Sequence, residues 1–160
     1  MKECLFCKIY EQKSDVLFEN DKFFVILDKF PINPGHLLII AKNHIETFED
    51  LSDDDFFYLK KIISKSKEFL ERSDLKDLYE NMSPINEKSL LFIEYALKSI
   101  YLHKKPDGYN FGLNEGQAAG QTISHLHFHL IPRYFNDVPN PTGGIRYVIY
   151  DKANYEKMLL

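Results

Sequence analysis

The stretch Ser124-His125-Leu126-His127-Phe128-His129-Leu130-Ile131-Pro132-Arg133 constrains this chain more than any other. Three histidines recur at a strict spacing of two, with apolar residues between them. In a strand, residues i, i+2 and i+4 share one face. Such a strand would line one surface with imidazoles and turn Leu126, Phe128 and Leu130 into a core. Half of the chain's six histidines fall within five positions. That concentration points to a functional site rather than to polar decoration.

At 160 residues the chain suits one domain, and 44% apolar residues suffice for a real core. The net charge of −4 argues against binding long nucleic acid, which needs a basic surface, but leaves room for a nucleotide held by a few groups. The only cysteines, Cys4 and Cys7, are too close together for a structural disulfide framework. The N-terminus lacks the apolar core of a signal peptide, and no apolar run is long enough to span a bilayer. A cytoplasmic protein without membrane contact is expected.

Local pattern predicts a helix over 5–12, strands over 16–19 and 23–28 around an Asn20-Asp21 turn, and an apolar strand over 36–41. Ser52 followed by Asp53, Asp54 and Asp55 starts a helix that runs to about Arg72. Residues 73–84 read as a polar break. A second helix follows over 87–103, capped by Asn86, with Leu90, Ile93, Leu97 and Ile100 on one side. Strands are expected over 110–114 and 124–131, an edge strand over 147–150, and a short helix at the end. Strands, then helices, then strands imply an α+β fold with an antiparallel sheet.

Imidazole can ligate a metal or attack phosphorus. The loop before the histidines favours phosphorus. Gly116, Ala118, Ala119 and Gly120 let backbone amides approach an anion, and Asn114, Gln121 and Thr122 flank them as neutral donors. Cys4-Leu5-Phe6-Cys7 is by itself a weak zinc signal, because there is no second pair.

The segment from Asn114 to Arg133 resembles the signature of the histidine triad (HIT) superfamily. Upstream, Asp28-Lys29-Phe30-Pro31-Ile32-Asn33-Pro34-Gly35-His36-Leu37-Leu38-Ile39-Ile40, followed by Lys42-Asn43-His44, is similar to the family's first conserved block. The resemblance covers about 4–70 and 105–155. It implies a HIT-like fold with about five antiparallel strands and packed helices, usually homodimeric. It also implies a nucleotidyl hydrolase or transferase that acts on the α-phosphate of a purine nucleotide conjugate. His127 would be the nucleophile, forming a nucleotidyl-imidazole, and His129 an oxyanion donor. The His125 carbonyl would orient His127. Gln121, Thr122 and Asn114 would meet phosphates or the leaving group beside Gly120. Asp28 would hold the ribose, His36 would support the triad, and Phe6, Ile9 and Ile26 would line the base cleft. Arg133 and Arg146 are candidates for distal phosphates. The resemblance further implies a structural zinc held by Cys4, Cys7, His44 and His125, with no catalytic metal. The single domain, 1–160, departs from the family by a helical insertion at about 72–98. Two other readings stay open: a nucleotide-binding or scaffold protein with little turnover, and a hydrolase using the three histidines as metal ligands.

Overall fold

The computed structural model describes residues 4–149. Helix α1 (Leu5–Gln12) leads into a five-stranded, wholly antiparallel sheet. Its strands are β1 (Phe18–Glu19), β2 (Phe23–Leu27), β3 (Leu37–Ala41), β4 (Gly108–Gly112) and β5 (His127–Arg133). They lie in the order β1-β2-β3-β5-β4. Between β3 and β4 in the chain come α2 (Asp53–Arg72), α3 (Leu75–Glu80) and α4 (Glu87–Lys98).

β2 and β3 are buried along their whole length, which explains why they read as unbroken apolar runs rather than alternating ones. Their side chains divide between two clusters. Phe23, Val25, Leu27, Leu37 and Ile39 face the α2–α4 layer together with Leu59, Ile62, Leu70, Tyr79 and Ile93. Phe24, Ile26, Leu38 and Ile40 face the other way and pack against Phe6 of α1. α2 starts at the Ser52–Asp55 capping box and ends at Arg72, as its periodicity and caps predict.

Several expectations are corrected. The 73–84 break contains α3, capped by Asp74 and anchored by Leu75 and Tyr79. α4 stops at Lys98, because Ser99 takes extended backbone and the following residues turn. Its buried face is Ser89, Ile93 and Ala96, whereas Leu90 and Ile100 are exposed. α4 packs on α3, and Phe92 sets its edge on Phe30; these contacts rotate the helix from the stripe its sequence suggests. β4 begins two residues early, at Gly108, and β5 starts at His127 rather than Ser124. In place of an edge strand, residues Gly144–Val148 form a 3-10 turn. Tyr150 and the expected terminal helix lie outside the described residues. Among the described residues, no helix is long and apolar enough to cross a membrane.

Candidate active site

Cross-strand register decides where the histidines point. His127 lies opposite Ile40 and His129 opposite Leu38, while Phe24 and Ile26, respectively, continue those two rows onto β2. The two imidazoles therefore share the α1 face of the sheet. Phe128 and Leu130 enter the opposite cluster, as alternation requires.

His125 stands just before the strand and is fully buried. Its backbone carbonyl accepts a hydrogen bond from His127 Nδ1 at 2.7 Å. With the proton held on Nδ1, Nε2 of His127 carries the lone pair, the tautomer a nucleophilic imidazole needs. The ring of Phe6 stands edge-on to His127 at 5.0 Å, with Ile26 in the same cluster and Ile9 packed against it. Phe6 thus stands beside His127, and Ile9 and Ile26 share its apolar cluster.

A second group adjoins it. His36 Nε2 lies 3.0 Å from His129 Nδ1, and His36 Nδ1 faces Asp28 Oδ2 at 3.3 Å. The Asp28 contact is a close approach without hydrogen-bond alignment. Asp28 Oδ1 is engaged by the Phe30 amide at 2.9 Å, which leaves Oδ2 for His36. One proton shared between His36 Nε2 and His129 Nδ1 joins the two rings. Burial pushes His36 down to about 4, against the upward pull of Asp28. Burial also lowers His129, helped by His127.

This arrangement has a consequence for acid stability. His36 is held neutral in the fold but regains an ordinary value near 6.5 when unfolded. Its contribution is complete above about pH 6.5 and is lost as pH falls toward 4. The loss is about 3 kcal/mol. Unfolding free energies of wild type and His36→Gln, measured from pH 7 to pH 4, should therefore converge by that amount as the solution acidifies. Parallel curves would refute it.

Asp28, His36, His129 and Asn114 line a cavity of about 570 Å³, whose walls include Phe30 and Leu113. That volume is ordinary for a small-molecule site. Phe30 and Leu113 were not singled out in the sequence, although Phe30 follows Asp28 within a proline-rich loop. A neighbouring cavity of about 590 Å³ is lined by Arg133. The Arg133 guanidinium donates to both carboxylate oxygens of Asp137, at 2.7 and 2.8 Å, and to Asn110 at 2.6 Å. It is already neutralised, which argues against a distal-phosphate role. Arg146 sits in the Gly144–Val148 turn.

The glycine-rich loop differs from expectation. Residues Gln117–Ala119 form a 3-10 turn closed by Gly120 in left-handed conformation, at φ 92°. The amides of Ala119, Gly120 and Gln121 donate within the loop, and the Gly116 amide donates to Gln121 Oε1 at 2.8 Å. Gln121 Nε2 reaches the Glu46 carbonyl at 3.3 Å. Gln121 therefore closes its own loop, and Thr122 is exposed; neither is bonded to the imidazoles. Fewer amides are left to meet an anion than the small-residue pattern suggested.

On the far side of His125, the ring meets Cys4 Sγ at 3.3 Å and Cys7 Sγ at 3.7 Å through Nδ1. Cys7 Sγ lies 3.4 Å from His44 Nδ1. These four donor atoms fall within 4.8 Å of one another. The three alternating histidines do not converge on one point: His125 belongs to the cysteine cluster and His129 to the Asp28–His36 group. This divergence argues against one metal shared by the three histidines, while Asp28, His36 and His129 form a second group whose donor atoms lie within 4.8 Å of one another.

Fold and site together define a small α+β domain whose sheet presents alternating imidazoles beside an apolar cleft. A family model described as the HIT domain matches residues 10–136, and the chain belongs to the HIT family. An uncharacterized HIT-like protein of Methanocaldococcus jannaschii is 34% identical over 136 residues, covering 84% of this chain and 81% of the relative. An adenosine 5′-monophosphoramidase of Candida albicans is 33% identical over 132 residues, covering 81% and 70%. The crystal structure of a histidine triad nucleotide-binding protein from Candida albicans superposes with a TM-score of 0.56 at 32% identity, over 82% of this chain and 75% of that one.

Proposed function

We propose that this protein is a nucleotidyl hydrolase or transferase acting on the α-phosphate of a purine nucleotide conjugate, either a nucleoside phosphoramidate or a dinucleoside polyphosphate. The observation that carries this reading is the 2.7 Å bond from His127 Nδ1 to the His125 carbonyl, which presents Nε2 as the lone-pair nitrogen on the cleft face. Nε2 attacks the α-phosphorus. A P–N bond to the imidazole forms as the bond to the leaving group breaks, and the leaving group departs with a proton taken from solvent. Water then cleaves the P–N bond and releases the nucleoside monophosphate. Two modest barriers replace one large one.

His129 stands beside His127, their ring centroids 5.3 Å apart, and serves as the donor to the developing oxyanion. The Asp28–His36 pair holds the His129 ring from behind and supplies the carboxylate that meets the ribose hydroxyls. The named activity of the Candida albicans relative, adenosine 5′-monophosphoramidase, supports the same class of bond. β4 pairs only with β5 among the described residues, and its outer edge suits a second copy of the chain in a homodimer.

The cysteine cluster suits a structural zinc. His125 Nε2 donates to the Ala41 carbonyl at 2.7 Å, which leaves the Nδ1 lone pair aimed at both sulfurs. Burial and the neighbouring Cys4 push the Cys7 thiol up to about 11. The Cys7 thiol so placed resists ionisation, and a divalent cation reverses that preference. Cys4, Cys7, His44 and His125 form the two-sulfur, two-nitrogen donor set that zinc favours in closed sites. There it would tie α1 to the start of β5 and activate no water.

The test is AMP release from adenosine 5′-phosphoramidate and diadenosine tetraphosphate by the purified chain, with and without EDTA. Turnover that persists in EDTA supports the reading, and the better substrate identifies the leaving group. Absence of turnover with both, alongside tight AMP binding, would replace it with a nucleotide-binding role.

A further inference from the structure

The turn that delivers His36 is held from a direction unrelated to the sheet. Tyr79 of α3 is among the most deeply buried side chains of the protein, at 1% exposure. Its Oη accepts the Gly35 N–H at 2.8 Å, in a contact sealed from solvent. Gly35 has φ +83°, and a Cβ there would lie 2.8 Å from Leu70 Cδ2 and 3.3 Å from Leu75 Cδ1. The turn backbone therefore rests directly on α2 and α3, with no space for an intervening side chain. The next residue is His36, whose ring meets His129 at 3.0 Å. The same helical segment grips the start of this loop twice more. Lys29 Nζ donates to the Ser83 carbonyl at 3.0 Å, and Phe30 meets the edge of Phe92, ring centroids 5.9 Å apart.

We propose that Tyr79 is a positioning residue for the candidate catalytic histidines, fixing the Gly35–His36 backbone so that His36 holds His129 against the substrate phosphate. The proposal rests on the reading of His129 given above. Tyr79 touches no substrate; it acts through one backbone amide and one imidazole. Placement of a reacting group is sensitive to displacements well below an ångström, whereas substrate affinity, which is spread over the apolar cleft, is not. The 73–98 segment thereby gains a role in the chemistry although it supplies no cleft-wall side chain of its own.

Tyr79→Phe removes a single buried oxygen and keeps the ring. Ile93→Val, in the core of α4, serves as a control that loosens the same segment without touching the turn. For Tyr79→Phe, kcat with adenosine 5′-phosphoramidate should fall roughly 10- to 100-fold. KM should stay within about two-fold. The imidazole ¹⁵N resonances of His36 and His129 should shift, whereas in Ile93→Val both kcat and these resonances stay at wild-type values. Unchanged resonances in Tyr79→Phe, or equal kcat losses in the two variants at matched thermal midpoints, would overturn the proposal. If the wild type lacks turnover, the proposed function fails, and the resonances alone still decide the positioning role. Should Tyr79→Phe not fold, 3-fluorotyrosine at position 79, a weaker acceptor of the same shape, is read by the same resonances and the same criteria.

Discussion

Alanine at position 127 is expected to lower AMP release from adenosine 5′-phosphoramidate by about 10⁴-fold or more, the scale of losing a nucleophile whose partners remain in place. The remaining rate should reflect His129 and the apolar cleft acting on bound substrate. The fold should survive, because the β3–β5 ladder uses backbone groups and the side chain contributes one hydrogen bond, to the His125 carbonyl. Leaving that carbonyl unpaired costs about 1–3 kcal/mol, a shift of about 2–12 °C in a chain of this size. Rapid quench with an α-phosphate label gives a direct reading. Wild type should trap label that is stable to alkali and lost in acid, as a phosphorus–imidazole bond requires, and His127→Ala should trap none. A variant that keeps activity within tenfold of wild type would remove His127 as nucleophile.

The second large effect concerns metal. Protein purified under reducing conditions with zinc should carry one zinc per chain, and Cys7→Ser should carry little. At free zinc about 1,000-fold above its dissociation constant, binding adds about 4 kcal/mol to stability. At 2–4 °C per kcal/mol for a domain of this size, chelation should lower the thermal midpoint by about 8–16 °C. Below that lowered midpoint, chelated protein should still release AMP, since no step passes through the metal. An unchanged midpoint together with absence of bound zinc would make the cluster a thiol–imidazole packing site only.

What could be read from the sequence was mostly local. α1 and α2 fell where expected because periodicity, the Ser52 cap and the three aspartates are properties of neighbouring residues. The alternation of His127, Phe128, His129 and Leu130 fixed their faces once they entered a strand. The candidate residues were legible mainly through their family resemblance. Cys4 and His125 are 121 residues apart, and no local rule joins them. α3 was missed because a six-residue helix with two buried positions is too short for a period to show. The face of α4 was misjudged because its partners, α3 and Phe30, decide which side is buried. Gln121 and Gly116 suggested open donors, but bonds within the loop and to the Glu46 carbonyl consume them. The Tyr79–Gly35 contact joins two segments whose proximity only the completed fold reveals.

The strand order also governs when the chain can become competent. β5 is the last of the five strands in the chain but sits between β3 and β4, pairing Leu37 with Leu130 and Gly112 with His129. Closing a loop of roughly 90 residues to bring β5 onto β3 costs about 4 kcal/mol of chain entropy beyond the fixed term, before any cross-strand bond repays it. The strand that completes the sheet is the one bearing both candidate imidazoles, His127 and His129. A nascent chain that has emerged only as far as β4 leaves the β3 edge unpaired and lacks His127, the proposed nucleophile. On the proposed mechanism, chemical competence is acquired at sheet closure, and refolding followed by activity should track the slowest folding phase rather than helix formation.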